Sequence, residues 1–99
     1  MTRVDPPVQT GFARTEGGMS LYWKATGQGP HTLICCNGVG VSTFFWKFVV
    51  EHFAHDYRVV VWDYRGHGRS DRPHHPDAID LSIEACARDL GLIQDAVGA

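Results

Sequence analysis

Between His31 and Trp62 the apolar positions change period twice. His31 to Cys36 is a short apolar run, broken by Asn37-Gly38-Val39-Gly40, where glycines open backbone angles closed to other residues. Phe45, Phe48, Val49 and Phe53 then recur at intervals of three and four, which predicts a helix with one apolar stripe, capped by Ser42 or Thr43. Trp46 lies beside that stripe and widens it. From Tyr57 to Trp62 a second, β-branched run has almost no polar alternation, as a parallel strand covered on both faces requires. Strand, helix and parallel strand make a βαβ unit, whose crossover is right-handed.

The flanks extend this unit without repeating it. Thr10 to Lys24 predicts a hairpin: Phe12 and Arg14 share one side, Gly17-Gly18 makes the turn, and Met19 to Lys24 returns. Residues 1–9 are expected to form a flexible arm, since Pro6-Pro7 prevents regular pairing, and residues 10–99 a single α/β domain. His52 and His55 flank the end of the first helix, where they are expected to be solvated. After a proline-punctuated loop, Ile83, Cys86, Leu90, Ile93 and Val97 fall on one stripe of a second helix. Asp80 or Ser82 serves as its N-cap and Gly98 stops it.

Composition narrows the function classes. Nine basic against eleven acidic residues give a net charge of −2, which supplies no electrostatic footprint for nucleic acid or an anionic membrane. No apolar run approaches the roughly 20 residues of a membrane span, and the N-terminus has no secretion-signal core, so a cytoplasmic protein is expected. Cys35 and Cys36 point to opposite faces of a strand and, with Cys86, read as small apolar fillers in a reducing compartment. Asp71, His67, His74 and His75 have no spacing that fixes two ligands on one face, and C-x-x-C is absent, so no metal is expected.

Two motifs carry a resemblance. Asn37-Gly38-Val39-Gly40 after one strand and Asp63-Tyr64-Arg65-Gly66-His67-Gly68-Arg69-Ser70-Asp71 after the next are similar to the N-terminal third of an α/β-hydrolase, over Phe12 to Ala99. The resemblance implies a three-layer α/β-hydrolase-type sheet, truncated before its nucleophile strand and built of an N-terminal hairpin, the βαβ unit and the following helix. It also implies an oxyanion turn, in which Gly38 permits close approach, the Val39 amide donates and the side chain of Asn37, where the family most often has His, braces the turn. Preorganised amides of this kind are worth about 3 kcal/mol per donor to the tetrahedral intermediate. Asp63, Arg65 and Ser70, with Gly66 and Gly68 letting the backbone fold tightly, are expected to brace the neighbouring loop.

No serine, at 20, 42, 70 or 82, sits in G-x-S-x-G, and no Asp or Cys does either. The resemblance therefore implies a Ser-His-Asp mechanism on an ester or similar acyl bond of a small molecule, without cofactor, whose triad lies beyond this chain. Epoxide and haloalkane hydrolases with an Asp nucleophile share this third of the fold and remain an alternative. A second alternative is a dinucleotide-binding oxidoreductase, from Gly38-x-Gly40-x-x-Thr43 followed by Asp63. Against it stand Thr43 in place of the third glycine, the preceding hairpin and the extended loop motif. The family's strand order leaves the strand at Leu33 to Cys36 as an uncovered edge, so the chain is expected to self-associate or stay partly unfolded.

Overall fold

The computed structural model describes residues 6–37, 43–71 and 82–98. Strand β1 (Val8–Arg14) and strand β2 (Ser20–Thr26) form the hairpin, paired from Val8 with Thr26 to Arg14 with Ser20. Pairing begins two residues ahead of the expected start. It reaches back to the prolines, and the Pro7 carbonyl still accepts the Gly27 amide at 2.8 Å. Strand β3 (Thr32–Cys35) leads through a 3-10 turn (Thr43–Trp46) and helix α1 (Lys47–Phe53) to strand β4 (Arg58–Trp62). Helix α2 (Ile83–Val97) follows.

The sheet order is β1-β2-β4-β3, with β3 parallel to β4 and the other pairs antiparallel. β4 is covered on both faces, as its unbroken apolar run requires. Val59 and Val61 face a cluster with Cys35 and Ala54, closed by Trp46, Val49 and Val50 from the α1 side. Val60 and Trp62 face the other, with Ala13, Leu21, Trp23, Ala25 and, from α2, Ile93 and Val97. Helix, sheet and helix are thus the three layers. Among the described residues no helix is long and apolar enough to cross a membrane.

Two helix faces differ from expectation. Phe45 and Phe48, at 61% and 78% exposure, point outward with Phe53 at their margin, and the inner stripe is Trp46, Val49 and Val50. The reason is local. The segment starts as a 3-10 turn, at three residues per turn, which shifts the phase set by a pure 3.6-residue period. The expected cap changes hands as well: α1 has no side-chain cap, the Thr43 amide is taken by Asp63, and Ser42 lies outside the described residues.

On α2 the Ser82 hydroxyl accepts the Ala85 amide at 3.2 Å, and Gly98 ends the helix at φ 74°, both as expected; Asp80 lies outside the described residues. The buried row, however, is Ala85, Asp89, Ile93 and Val97, and Ile83 is 85% exposed. A strict interval of four carries that row, with a carboxylate in the middle of it.

Candidate active site

The loop that follows β4 is fastened to β2 as if it lengthened the sheet. The Asp63 amide donates to the Tyr22 carbonyl at 3.0 Å and the Tyr22 amide donates to Ser70 Oγ at 2.9 Å. Ser70 Oγ in turn donates to the Asp63 carbonyl at 2.5 Å. Further along, the Asp71 amide donates to the Ser20 carbonyl, and the Ser20 amide returns to Asp71 Oδ2, each at 2.9 Å. Within the loop the Gly66 amide donates to the Asp71 carbonyl at 2.9 Å. Gly66 and Gly68 hold φ of 72° and 48°, and a Cβ on Gly68 would lie 2.2 Å from Asp63 Oδ2. The glycine is therefore required twice, for its angle and for the space.

That space lets the Asp63 carboxylate, 1% exposed, serve two backbone amides. Oδ2 accepts from Arg69 at 3.0 Å and Oδ1 from Thr43 at 3.2 Å. The second of these reaches the first residue after the 38–42 segment. The residue before that segment is held from the same place: buried Asn37 donates through Nδ2 to the Trp62 carbonyl at 2.8 Å and accepts from Trp46 Nε1 through Oδ1. The two residues that flank this segment are thus both held by Trp62 and Asp63 at the end of β4. Gly38 and Val39 themselves, with Gly40, lie outside the described residues.

Arg65 takes a separate partner. Its Nε and Nη2 form a two-bond fork on Asp89 of α2, at 2.7 and 3.0 Å, with the carboxylate buried. The guanidinium geometry matches a carboxylate in this way, and lysine would not reproduce it. Sequence reading placed Asp63, Arg65 and Ser70 in one brace. Asp63 and Ser70 share one network, and Arg65 ties the same loop to α2.

Asp89 was missed as a site residue, and Trp46, expected beside the apolar stripe and packed there, was missed only as the partner of Asn37. Asp89 had a signal, as a carboxylate at an interval of four from Ala85, Ile93 and Val97. For Trp46 the hydrogen bond to Asn37 had no signal, although its place beside the stripe did.

Among the described residues no group of three or more His, Cys, Asp or Glu side chains is placed to hold a metal. His67 sits with Nδ1 2.8 Å from the Arg65 carbonyl, and His74 and His75 lie outside the described residues. The dinucleotide alternative needs Asp63 to meet a ribose, yet both its oxygens are committed to backbone amides inside the protein. Burial raises the Tyr64 phenol to about 12, helped by Cys36 and Cys86 nearby and a hydrogen bond with Cys36. Burial also raises the Cys35 thiol, with Cys36 adding to the effect.

A hairpin edge, a βαβ crossover, Asn37 and Thr43 both held at the end of β4, and a glycine-folded arginine loop define an α/β-hydrolase N-terminal region. The chain belongs to that family: residues 31–99 match the model of the alpha/beta hydrolase fold. Over 82 residues, 83% of this chain and 29% of the relative, it is 34% identical to a protein named a carbamate hydrolase from Azorhizobium caulinodans. It is 29% identical over 84 residues to epoxide hydrolase 4 of Mus musculus, covering 84% of this chain and 23% of that protein. It is 34% identical over 68 residues to the pimeloyl-[acyl-carrier protein] methyl ester esterase of Vibrio atlanticus, covering 69% and 26%. Among solved structures, Est816, described as an N-acyl homoserine lactone degrading enzyme, superposes with a TM-score of 0.78 at 30% identity. That match covers 89% of this chain and 32% of Est816. The chain spans under a third of the length of each.

Proposed function

We propose that this chain is the N-terminal part of a hydrolase that cleaves an ester or similar acyl bond of a small molecule, with the Val39 backbone amide as one of two donors to the oxyanion. One observation carries the reading: Asn37 and Thr43, on either side of the turn, are both held by the end of β4. A turn anchored in this way keeps its amides oriented before substrate arrives, which is where electrostatic stabilisation of a tetrahedral intermediate comes from. Gly38 lets the backbone approach the substrate oxygen, and Asn37 does with its amide what bracing the turn requires. Asp63, Ser70 and Arg65 hold the adjoining loop and take no part in bond making.

The nucleophile, acid and base are proposed to lie in residues following Ala99. No G-x-S-x-G occurs in the sequence, and the match covers only 29% of the carbamate hydrolase. The nucleophile attacks the carbonyl carbon, the carbonyl oxygen becomes anionic against the Val39 amide, and collapse expels the leaving group; no cofactor enters such a sequence. The similarity to epoxide hydrolase 4 favours a second reading, in which an Asp nucleophile forms an alkyl ester that water hydrolyses through the same oxyanion turn. A serine-directed fluorophosphonate separates the two on the chain joined to its continuation. Stoichiometric labelling of a serine beyond residue 99 supports the acyl hydrolase. Turnover without any labelling supports the Asp reading, and labelling within residues 1–99 contradicts both.

The thiols, two of them on neighbouring residues, suit a reducing cytoplasm. The β3 edge, together with outward Phe44, Phe45 and Phe48, favours self-association of the chain by itself.

A further inference from the structure

Side chains alternate along a strand, so Thr32, Ile34 and Cys36 share the face that Cys35 does not. Cys35 is buried on the α1 side, with Ala54, Val59 and Val61. The opposite face of β3 meets α2: Thr32, Ile34 and Cys36 line one groove together with Leu90, Gln94 and Gly98. Arg58, which pairs with Thr32 at the start of the parallel strands, donates to the Val97 carbonyl at the last turn of α2. The helix therefore runs antiparallel to β3. Its C-terminal end lies over the start of the strand and Leu90 packs into the same cluster as Ile34. One step further along each element, two residues on the strand and four on the helix, brings Cys36 and Cys86 to the same level.

Tyr64 reports the same juxtaposition independently. It packs against this α2-side cluster and hydrogen-bonds with Cys36, and its phenol, raised first by burial, is raised further by both thiols. Cys36 is exposed, and it lies beyond Cys35, the last residue of β3 in register with β4. Cys86 is half-buried in the second turn of α2.

The geometry points to a dithiol modification site, in which Cys36 and Cys86 exchange with a low-molecular-weight disulfide and close an intramolecular disulfide between β3 and α2. In the first step the Cys36 thiolate attacks one sulfur of the small disulfide, forming a mixed disulfide and expelling one small thiolate. In the second the Cys86 thiolate attacks Cys36 Sγ, forming the protein disulfide and expelling the other. Two protein thiols and one small disulfide thus become one protein disulfide and two small thiols. The cross-link joins the residue next to Asn37 to α2, at the entrance of the candidate oxyanion turn.

The test uses the whole chain, reduced and then incubated with oxidised glutathione, followed by thiol titration, intact mass and peptide mapping in native buffer and in urea. The site predicts loss of two of the three thiols, no retained glutathione and a Cys36–Cys86 peptide whose yield falls several-fold in urea. Cys86→Ser should then hold glutathione on Cys36. Lasting glutathione on Cys36 of the unaltered chain, a Cys35–Cys36 or intermolecular pairing, no reaction, or equal yield in urea would each overturn the assignment.

Discussion

Replacing Asp89 should unfasten the arginine loop from α2, and the structure sets the size of the effect. The carboxylate is 1% exposed and accepts two charge-assisted hydrogen bonds from Arg65, whose own side chain is 18% exposed. Removing one partner of a buried pair costs about 3–5 kcal/mol, mostly through the charge left behind. Arg65 regains part of its hydration, so Asp89→Ala belongs at the lower end, about 3 kcal/mol, while Asp89→Asn, which keeps one acceptor, should cost about 2 kcal/mol. Against the roughly 5–15 kcal/mol that holds a domain of this size together, either is a large loss. Changing both partners to apolar residues, Arg65→Met with Asp89→Leu, should cost about 1 kcal/mol or less, which makes the pair strongly coupled in a double-mutant cycle. Urea unfolding at low concentration, followed by the fluorescence of Trp23 and Trp62 in the α2-side core, reads the two Asp89 variants and the cycle of unaltered chain, Arg65→Met, Asp89→Leu and their double. A loss below about 1 kcal/mol for Asp89→Ala, or additive single effects, would refute the view that this ion pair fastens the loop.

Three further variants test neighbouring parts. Asn37→Ala strands the Trp46 indole N–H and the Trp62 carbonyl, and chemical denaturation should show a loss of about 2–4 kcal/mol. Gly68→Ala forces a left-handed angle and sets a Cβ against the Asp63 carboxylate; a loss above about 2 kcal/mol is expected, with faster amide exchange at Thr43 and Arg69. Phe48→Ser should leave stability within about 0.5 kcal/mol, because the ring is exposed, and should lower the light scattering of the chain; a loss near 3 kcal/mol would restore the inward stripe.

What the sequence revealed and what it hid divide along physical lines. The unbroken apolar run of β4 forecast burial on both faces, and the Ser82 cap and Gly98 stop forecast the ends of α2, because each depends on residues adjacent in the chain. The α1 face was misread because a 3-10 turn at its start shifts the helical phase, which no periodicity count detects. Asp89 was overlooked because its burial depends on Arg65, 24 residues away, and a polarity pattern assigns a lone carboxylate to solvent. Within the site, the spacing of the Asp63–Asp71 loop announced a folded turn. Its attachment to Ser20 and Tyr22 could not be seen, since Ser70 and Tyr22 are 48 residues apart.

The central claim is that the Val39 amide, and not its side chain, stabilises the reacting oxygen. Its most direct test is the acylation rate of the chain joined to its continuation, measured in single turnover with an activated ester for Val39→Ala and Val39→Pro, with folding checked by circular dichroism. The account predicts that Val39→Ala stays within about tenfold of the unaltered rate while Val39→Pro, which deletes the donor, loses about 100-fold or more. Equal losses in two folded variants would contradict it.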